Sequence, residues 1–594
     1  MDSEKWWRVI SAALLAGILC FHCLCHAQKA PNYTFVQQAI SAPAVSYYDY
    51  IIVGGGTSGC PLAATLSQNA SVLLLERGGS PYGNQNITNY ESFSDTLADT
   101  SPTSAAQHFI SEDGVYNVRA RVLGGGSCVN AGFYTRASPD YVSAAGWDSR
   151  LVNQSYRWVE KMVAFKPHLL PWQSAVRDGL LEAGVLPYNN FTYDHIFGTK
   201  VGGTIFDLDG HRHTAADLLQ YGNPKGLTVF LHATVQRIFF RTEGKLRPRA
   251  HGVVFRDEAG VKHKVYLKKG SMNEIILSAG ALGSPQLLML SGVGPAHQLR
   301  SHKIKVMLDQ PLVGQGMADN PMNTIFVPSP IPVEISLVQV VGITRLGTYI
   351  ETVSGINLVS QSSTTPQRNF GMFSPQTGQL SVISSKQRTP EAMKALRDEG
   401  FRGGFIVEKV IGPRSTGHLE LRNRNPDDNP CVTFNYFKEL EDLKRCVDGI
   451  KIIKKVIQSN AFSKFRYPYL SVQTLINITS NLPMNLLPKH VNSSTSLQQF
   501  CKDTVMTIWH YHGGCQVGRV VDPNYKVLGL DGLRVIDGST FLESPGTNPQ
   551  ATLMMLGRCM GVRILKEKLA KKNPVFNFKK NKMKAKCNHV LVLY

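Results

Sequence analysis

The chain lacks the marks of several common protein classes. Its 594 residues hold no low-complexity tract and no short-period repeat, which sets aside fibrous and solenoid architectures. Beyond the apolar run Val9 to Leu24, no segment reaches the length of a transmembrane helix. Acids are scarce beside bases: 43 Asp and Glu stand against 63 Lys and Arg, a net charge of +20. Basic and aromatic residues do not interleave, so nucleic acid is not an expected partner. Of eleven cysteines, Cys20, Cys23 and Cys25 fall in the N-terminal leader. The other eight are scattered without Cys-x-x-Cys spacing, and no metal site is expected.

What is present begins with that leader. Lys5 and Arg8 give a basic start, the apolar run is short for a membrane span, and Cys25-His26-Ala27 puts a small residue at a processing point. Residues 1–27 therefore read as a signal peptide, and the mature chain as secreted to the extracellular space or cell wall. Asn-x-Ser/Thr sites at Asn32, Asn69, Asn86, Asn153, Asn190, Asn477 and Asn492 agree, as acceptors for glycan. An oxidising compartment permits disulfides. Cys446 and Cys501 fall in helical patterns and are the expected pair, with Cys431 the competing partner for Cys501. Lysines crowd the C-terminus from Lys566 onward, and residues 571–594 read as a solvated basic tail able to meet an acidic surface. A length of 594 residues exceeds one compact core and predicts two large domains.

The most informative stretch is Tyr50-Ile51-Ile52-Val53-Gly54-Gly55-Gly56-Thr57-Ser58-Gly59, followed by Val72 to Leu75 and Glu76. It predicts a strand, a glycine turn, a helix, a second strand and an acid. Gly54 permits the sharp turn, Gly56 lets backbone approach a pyrophosphate, and Gly59 lets the helix pack against the strand. The helix N-terminus offers free N–H groups to phosphate. Glu76, 17 residues past Gly59, suits a ribose hydroxyl and would repel a 2′-phosphate, so FAD or NAD is expected and NADP is not. Gly226 to Val235 reads as a strand returning to this first domain, and Glu274 to Leu277 as another running into the glycine turn at Gly280. A polar, proline-dotted region from Val327 to Gly400 reads as substrate-facing loops.

A second glycine cluster, Arg121-Val122-Leu123-Gly124-Gly125-Gly126-Ser127-Cys128-Val129-Asn130, joins three further blocks in order: Ser278 to Leu288, Val313 to Pro321, and Ile508-Trp509-His510-Tyr511-His512-Gly513-Gly514. Together they resemble the glucose–methanol–choline family of flavin oxidoreductases over nearly the whole mature chain. Within that family the likeness is to the plant Hothead-like proteins, with plant mandelonitrile lyases as near relatives. The resemblance implies an α/β fold: an FAD-binding Rossmann-type domain (45–145, 200–325 and 505–570) interleaved with an antiparallel-sheet substrate domain (146–199 and 326–504) of α+β character. It implies a monomer acting on a small-molecule alcohol. Thr57 and Ser58 would meet the pyrophosphate and Glu76 the adenosine ribose, with Arg77 on the same turn. Val122, Gly126, Ser127, Asn130, Ala131, Gly132 and Phe133 would line the flavin, and Val235 would pair its backbone with adenine. Trp509, Asp537, Gly538, Pro549 and Gln550 would complete the cofactor site. Some members bind flavin covalently through a histidine before the closing Asn. Val129 stands there and cannot form that bond, so non-covalent FAD is expected.

By the same likeness, His510 is the expected catalytic base and Asn548, in Gly546-Thr547-Asn548-Pro549, its partner. The chemistry asks for this pair. Alcohol oxidation removes a hydroxyl proton, which an imidazole titrating near neutrality can take. A carboxamide can donate to the developing alkoxide. His512 reads as a hydrogen-bonded scaffold residue. The activity implied is oxidation of a CH–OH group, with a long-chain ω-hydroxy fatty acid as one substrate. A hydroxynitrile lyase retaining FAD is the alternative, weakened by Ile508 and Asn548, which depart from the lyases' aromatic and histidine.

Overall fold

A computed structural model describes residues 31–242, 247–357, 402–490, 495–546 and 548–572. The signal segment, the tail beyond residue 572, the Asn492 site and much of the Val327–Gly400 region lie outside the described residues.

The fingerprint strand Tyr50–Val53 is apolar at every position because both of its faces are covered. It lies inside a six-stranded, wholly parallel sheet. The order is Val36–Gln38, Leu227–Leu231, Val72–Leu75, Tyr50–Val53, Glu274–Leu277 and Leu533–Val535. Helix Gly59–Leu66, buried along its whole length, is clamped by the long helix Gln550–Lys572. Small residues allow that contact: a Cβ on Gly557 would stand 2.2 Å from the Ser58 carbonyl oxygen, and one on Gly561 2.7 Å from Thr65. The segment Gly226–Val235, read as one strand, is two. His232 turns the chain through φ +57°, so Leu227–Leu231 joins the parallel sheet and Thr234–Arg241 starts a separate sheet against Arg249–Arg256.

A second six-stranded sheet runs in the order Met322–Pro328, Arg402–Val410, Thr348–Asn357, Val340–Ile343, Gly198–Val201 and Tyr188–Phe191, antiparallel but for its last pair. This corrects the expectation of loops after Val327: Val340–Ile343 and Thr348–Asn357 are strands. Their polar residues are paired inside the sheet and its cover. Thr352 donates to the Phe405 carbonyl and accepts from the Trp172 indole, and Gln173 donates to the Thr352 carbonyl. Helices Pro171–Glu182, Leu440–Gln458, Val472–Ser480 and Leu497–Thr504 pack into one apolar cluster against this sheet. The Cys446–Cys501 disulfide ties two of them, across a Cα separation of 6.4 Å, and Cys431 stays a free thiol. Among the described residues no helix is long and apolar enough to cross a membrane.

Candidate active site

Both glycine clusters close on one cavity beyond the carboxyl ends of the parallel strands, where open α/β sheets bind ligands. Gly54 is held at φ +103°, and a Cβ there would lie 2.4 Å from the Ser278 carbonyl oxygen. A Cβ on Gly59 would stand 2.0 Å from the Gly54 oxygen, so neither position tolerates a side chain. Gly125 packs face to face with Gly56 and would bring its Cβ to 2.7 Å of the Gly56 Cα. Gly56 itself is open: its Cβ would meet nothing nearer than 3.8 Å.

Of the residues named from sequence, the cavity wall holds Gly54, Gly56, Thr57, Ser58, Glu76, Arg77, Val122, Gly126, Asn130 to Phe133, Val235, Trp509, His510, Asp537, Gly538 and Asn548 to Gln550. Gly59 and Ser127 stand behind it. Ser127 donates to the Gly124 carbonyl and accepts from the Ala215 N–H, which braces the second glycine turn. Glu76 is buried and its two carboxylate oxygens accept the Gly55 N–H at 2.9 Å and the Gly78 N–H at 2.8 Å. Burial pushes its carboxyl up against the pull of these bonds. Burial likewise lowers Arg77, to about 10. Asn130 donates to the Gln550 side chain at 2.9 Å, and Gln550 donates to the Phe133 carbonyl at 2.6 Å, tying the second glycine cluster to the start of helix Gln550–Lys572. Asp537 caps the Gly280 N–H at 3.0 Å and the Ser539 N–H at 2.8 Å.

His510 enters the cavity from a strained turn. Trp509 before it sits at φ +59°, where a bulky residue is rare. The His510 N–H donates to Asp319 Oδ1 at 2.9 Å, its carbonyl lies 3.0 Å from His512 Nδ1, and its own Nδ1 is 3.3 Å from Asn320 Nδ2. Burial, then the Lys409 and His512 charges, push the His510 imidazole well below the usual histidine range. Asn548 Oδ1 accepts from Lys409 Nζ at 3.2 Å. Leu97, Val129, Val338, Ile508 and Trp509 make the neighbouring wall apolar.

Family models described as GMC oxidoreductase match residues 48–322 and 413–557. The chain belongs to the GMC oxidoreductase family. Its relatives include Protein HOTHEAD of Arabidopsis thaliana, 56% identical over 89% of each chain. An (R)-mandelonitrile lyase-like protein of the same plant is 43% identical over 96% of this chain and 99% of its own. Sinalpyl alcohol oxidase Nec3 of Nesocodon mauritianus is 43% identical over 88% and 89%. The fold is shared with a formate oxidase variant of Aspergillus oryzae, at a TM-score of 0.69 and 19% identity, covering 89% of this chain and 99% of that one.

Membership makes the protein an FAD-dependent oxidoreductase. The cavity fits that cofactor. Besides open Gly56, Cβ atoms on Gly126 and Gly280 would meet no protein atom closer than 3.9 Å, although all three line the wall. Backbone is thereby left bare beside the N-terminus of helix Gly59–Leu66, whose free N–H groups suit a phosphate. Five polar residues carry no role in the sequence reading. Asp319 and Asn320 lie in a recognised motif that carried no role, while Glu351 and Lys409 lie on strands of the second sheet. Arg212, whose guanidinium donates to the Asn130 carbonyl at 2.7 Å and the Ile87 carbonyl at 2.9 Å, carries no motif at all.

Proposed function

We propose that this protein oxidises the hydroxyl of an apolar primary alcohol, with His510 as base and Asn548 as hydrogen-bond donor. A long-chain ω-hydroxy fatty acid is the substrate the family likeness points to. The observation that carries this reading is the shared cavity wall: a neutral-favoured imidazole and a carboxamide flank it beside an apolar face. FAD, when bound, supplies the acceptor for the hydride. Thr57, Ser58 and the open glycines would hold its phosphates, Glu76 its ribose, Val235 its adenine, and Asn130 to Phe133, Gly538, Pro549 and Gln550 its ring. Val129 in place of a linking histidine favours non-covalent binding. We assign the parallel sheet to the cofactor part and the second sheet to the substrate part.

His510 takes the hydroxyl proton, and the Asn548 amide meets the oxygen as charge develops there. The apolar wall excludes water from the reacting carbon. Secretion as a glycoprotein belongs to the same proposal. It is supported by the leader and by the exposure of Asn69, Asn86, Asn153 and Asn190.

A hydroxynitrile lyase is the second reading, favoured by the mandelonitrile lyase-like relative. Ile508 and Asn548 stand against it. Anaerobic screening of FAD-loaded protein decides: bleaching of the flavin band by apolar alcohols or ω-hydroxy fatty acids supports oxidation. Cyanide release from mandelonitrile with no bleaching by any alcohol overturns it.

A further inference from the structure

An ion pair lies behind Asn548 that the base-and-donor scheme leaves without a task. In the pairing of Thr348–Asn357 with Arg402–Val410, Tyr349 faces Lys409 and Glu351 faces Val407. Glu351 and Lys409 are therefore diagonal neighbours on one face of the sheet. Lys409 Nζ stands 2.8 Å from Glu351 Oε2, with side chains 0% and 4% exposed. The same Nζ donates to Asn548 Oδ1 at 3.2 Å and lies 4.6 Å from the centre of the Tyr349 ring. Glu351, Asn548 and His510 line the same cavity. A buried ion pair pays a desolvation cost that apolar residues would avoid, so stability alone does not account for charges in this place.

We propose that Lys409 is a positioning residue for the reaction and Glu351 its counter-charge: Lys409 fixes the Asn548 amide so that its NH2 end serves the substrate oxygen, and keeps a positive charge behind that donor. This rests on the reading of His510 as base and Asn548 as donor.

An ammonium has three donors and no acceptor, so it can engage only the amide oxygen. With Oδ1 committed to Lys409, Nδ2 is the end Asn548 can offer to an alkoxide. Reversed, the amide would turn a lone pair toward developing negative charge. The ammonium also acts on His510, where its charge adds to burial and to His512 in favouring the neutral imidazole. The other ionisable groups that Lys409 feels or acts on are the Glu351 and Asp319 carboxylates, which favour its charged form against burial, and the His195 imidazole, which it helps keep neutral.

Three variants test this in the FAD-loaded enzyme: Lys409→Met, Lys409→Arg and Glu351→Gln. Besides the melting temperature, two readouts are taken for each. One is the limiting rate and half-saturation of flavin reduction by the best alcohol. The other is the pH midpoint of His510 modification by diethyl pyrocarbonate, located by peptide mass spectrometry. Lys409→Met should lower the limiting rate by about 100-fold, as misplaced catalytic groups do, with half-saturation little changed. Lys409→Arg should restore part of the rate. The His510 midpoint should rise in Lys409→Met, where a cation is lost, and should not rise in Glu351→Gln, where it is kept. Wild-type reduction by Lys409→Met overturns the proposal. So does a lowered rate with an unmoved His510 midpoint and a lower melting temperature, the outcome of a purely structural role. If Lys409→Met does not fold, a raised midpoint in Glu351→Gln contradicts the proposal by itself. If the wild-type enzyme reduces no alcohol, the parent reading fails, and the His510 midpoints still decide whether Lys409 acts on that imidazole.

Discussion

Asp319 Oδ1 accepts the backbone N–H of His510 at 2.9 Å. Its Oδ2 accepts the Thr507 hydroxyl at 2.6 Å and the Tyr436 hydroxyl at 2.8 Å. One carboxylate thus anchors the residue expected to take the proton, just after the left-handed turn at Trp509. Asp319→Ala strands the buried Thr507 hydroxyl, at about 1–3 kcal/mol, and two part-buried donors at less. It should lower thermal stability by several degrees and slow flavin reduction while FAD remains bound. Unchanged melting and rate would separate Asp319 from the site.

The acidity of the site has a direction. A base must be unprotonated, and burial holds His510 well below 6.5. His510 then stays competent at pH 6.5 and above, and the limb on which activity falls with acid lies below that value. A pH profile of flavin reduction checks this; a limb at or above pH 7 contradicts it.

His512 gives the matching statement for stability. Burial holds its imidazole near 4, against 6.5 in a free side chain. Between those values the unfolded chain takes up a proton that the folded chain refuses. Its contribution is therefore full above pH 6.5 and is lost as pH falls toward 4. Denaturant midpoints at pH 7 and pH 5 should differ more in the wild type than in His512→Gln. Other groups, including Asp319, whose burial works in the opposite sense, are common to both proteins.

The glycines separate folding from cofactor binding. Gly54→Ala meets both a positive φ and the Ser278 carbonyl oxygen at 2.4 Å. It should destabilise the protein by about 2 kcal/mol or more. Gly56→Leu has no such clash near its Cβ but fills the open space in which the phosphates are proposed to lie. It should fold and purify colourless. Full flavin content in Gly56→Leu would place the cofactor elsewhere.

Helices Leu440–Gln458 and Leu497–Thr504 share the Cys446–Cys501 bridge. Cys501→Ser should cost about 2–4 kcal/mol in denaturant unfolding. Reductant should lower wild-type stability toward the variant and leave the variant unmoved.

The parallel sheet and the glycine turns were legible in the sequence because their signals are local. Both faces of Tyr50–Val53 are buried, so the strand reads as an unbroken apolar run, and only glycine fits where Gly54 and Gly59 approach backbone. The bend at His232 carries no local mark, since a histidine supplies the left-handed turn there. Thr348–Asn357 reads as loop because Thr352 and Ser354 are polar. The Trp172 partner of Thr352 lies 180 positions away, and Ser354 donates to the Glu334 carbonyl in the preceding segment. Lys409 and Glu351, separated by 58 positions, become a pair only through sheet register.

The most direct measurement is anaerobic rapid mixing of FAD-loaded wild-type and His510→Ala protein with an apolar primary alcohol, followed at the flavin absorbance band. The wild type should bleach fully, and the variant should react about 10²–10⁴-fold more slowly with flavin still bound. Equal rates in the two proteins would contradict the reading of His510 as base.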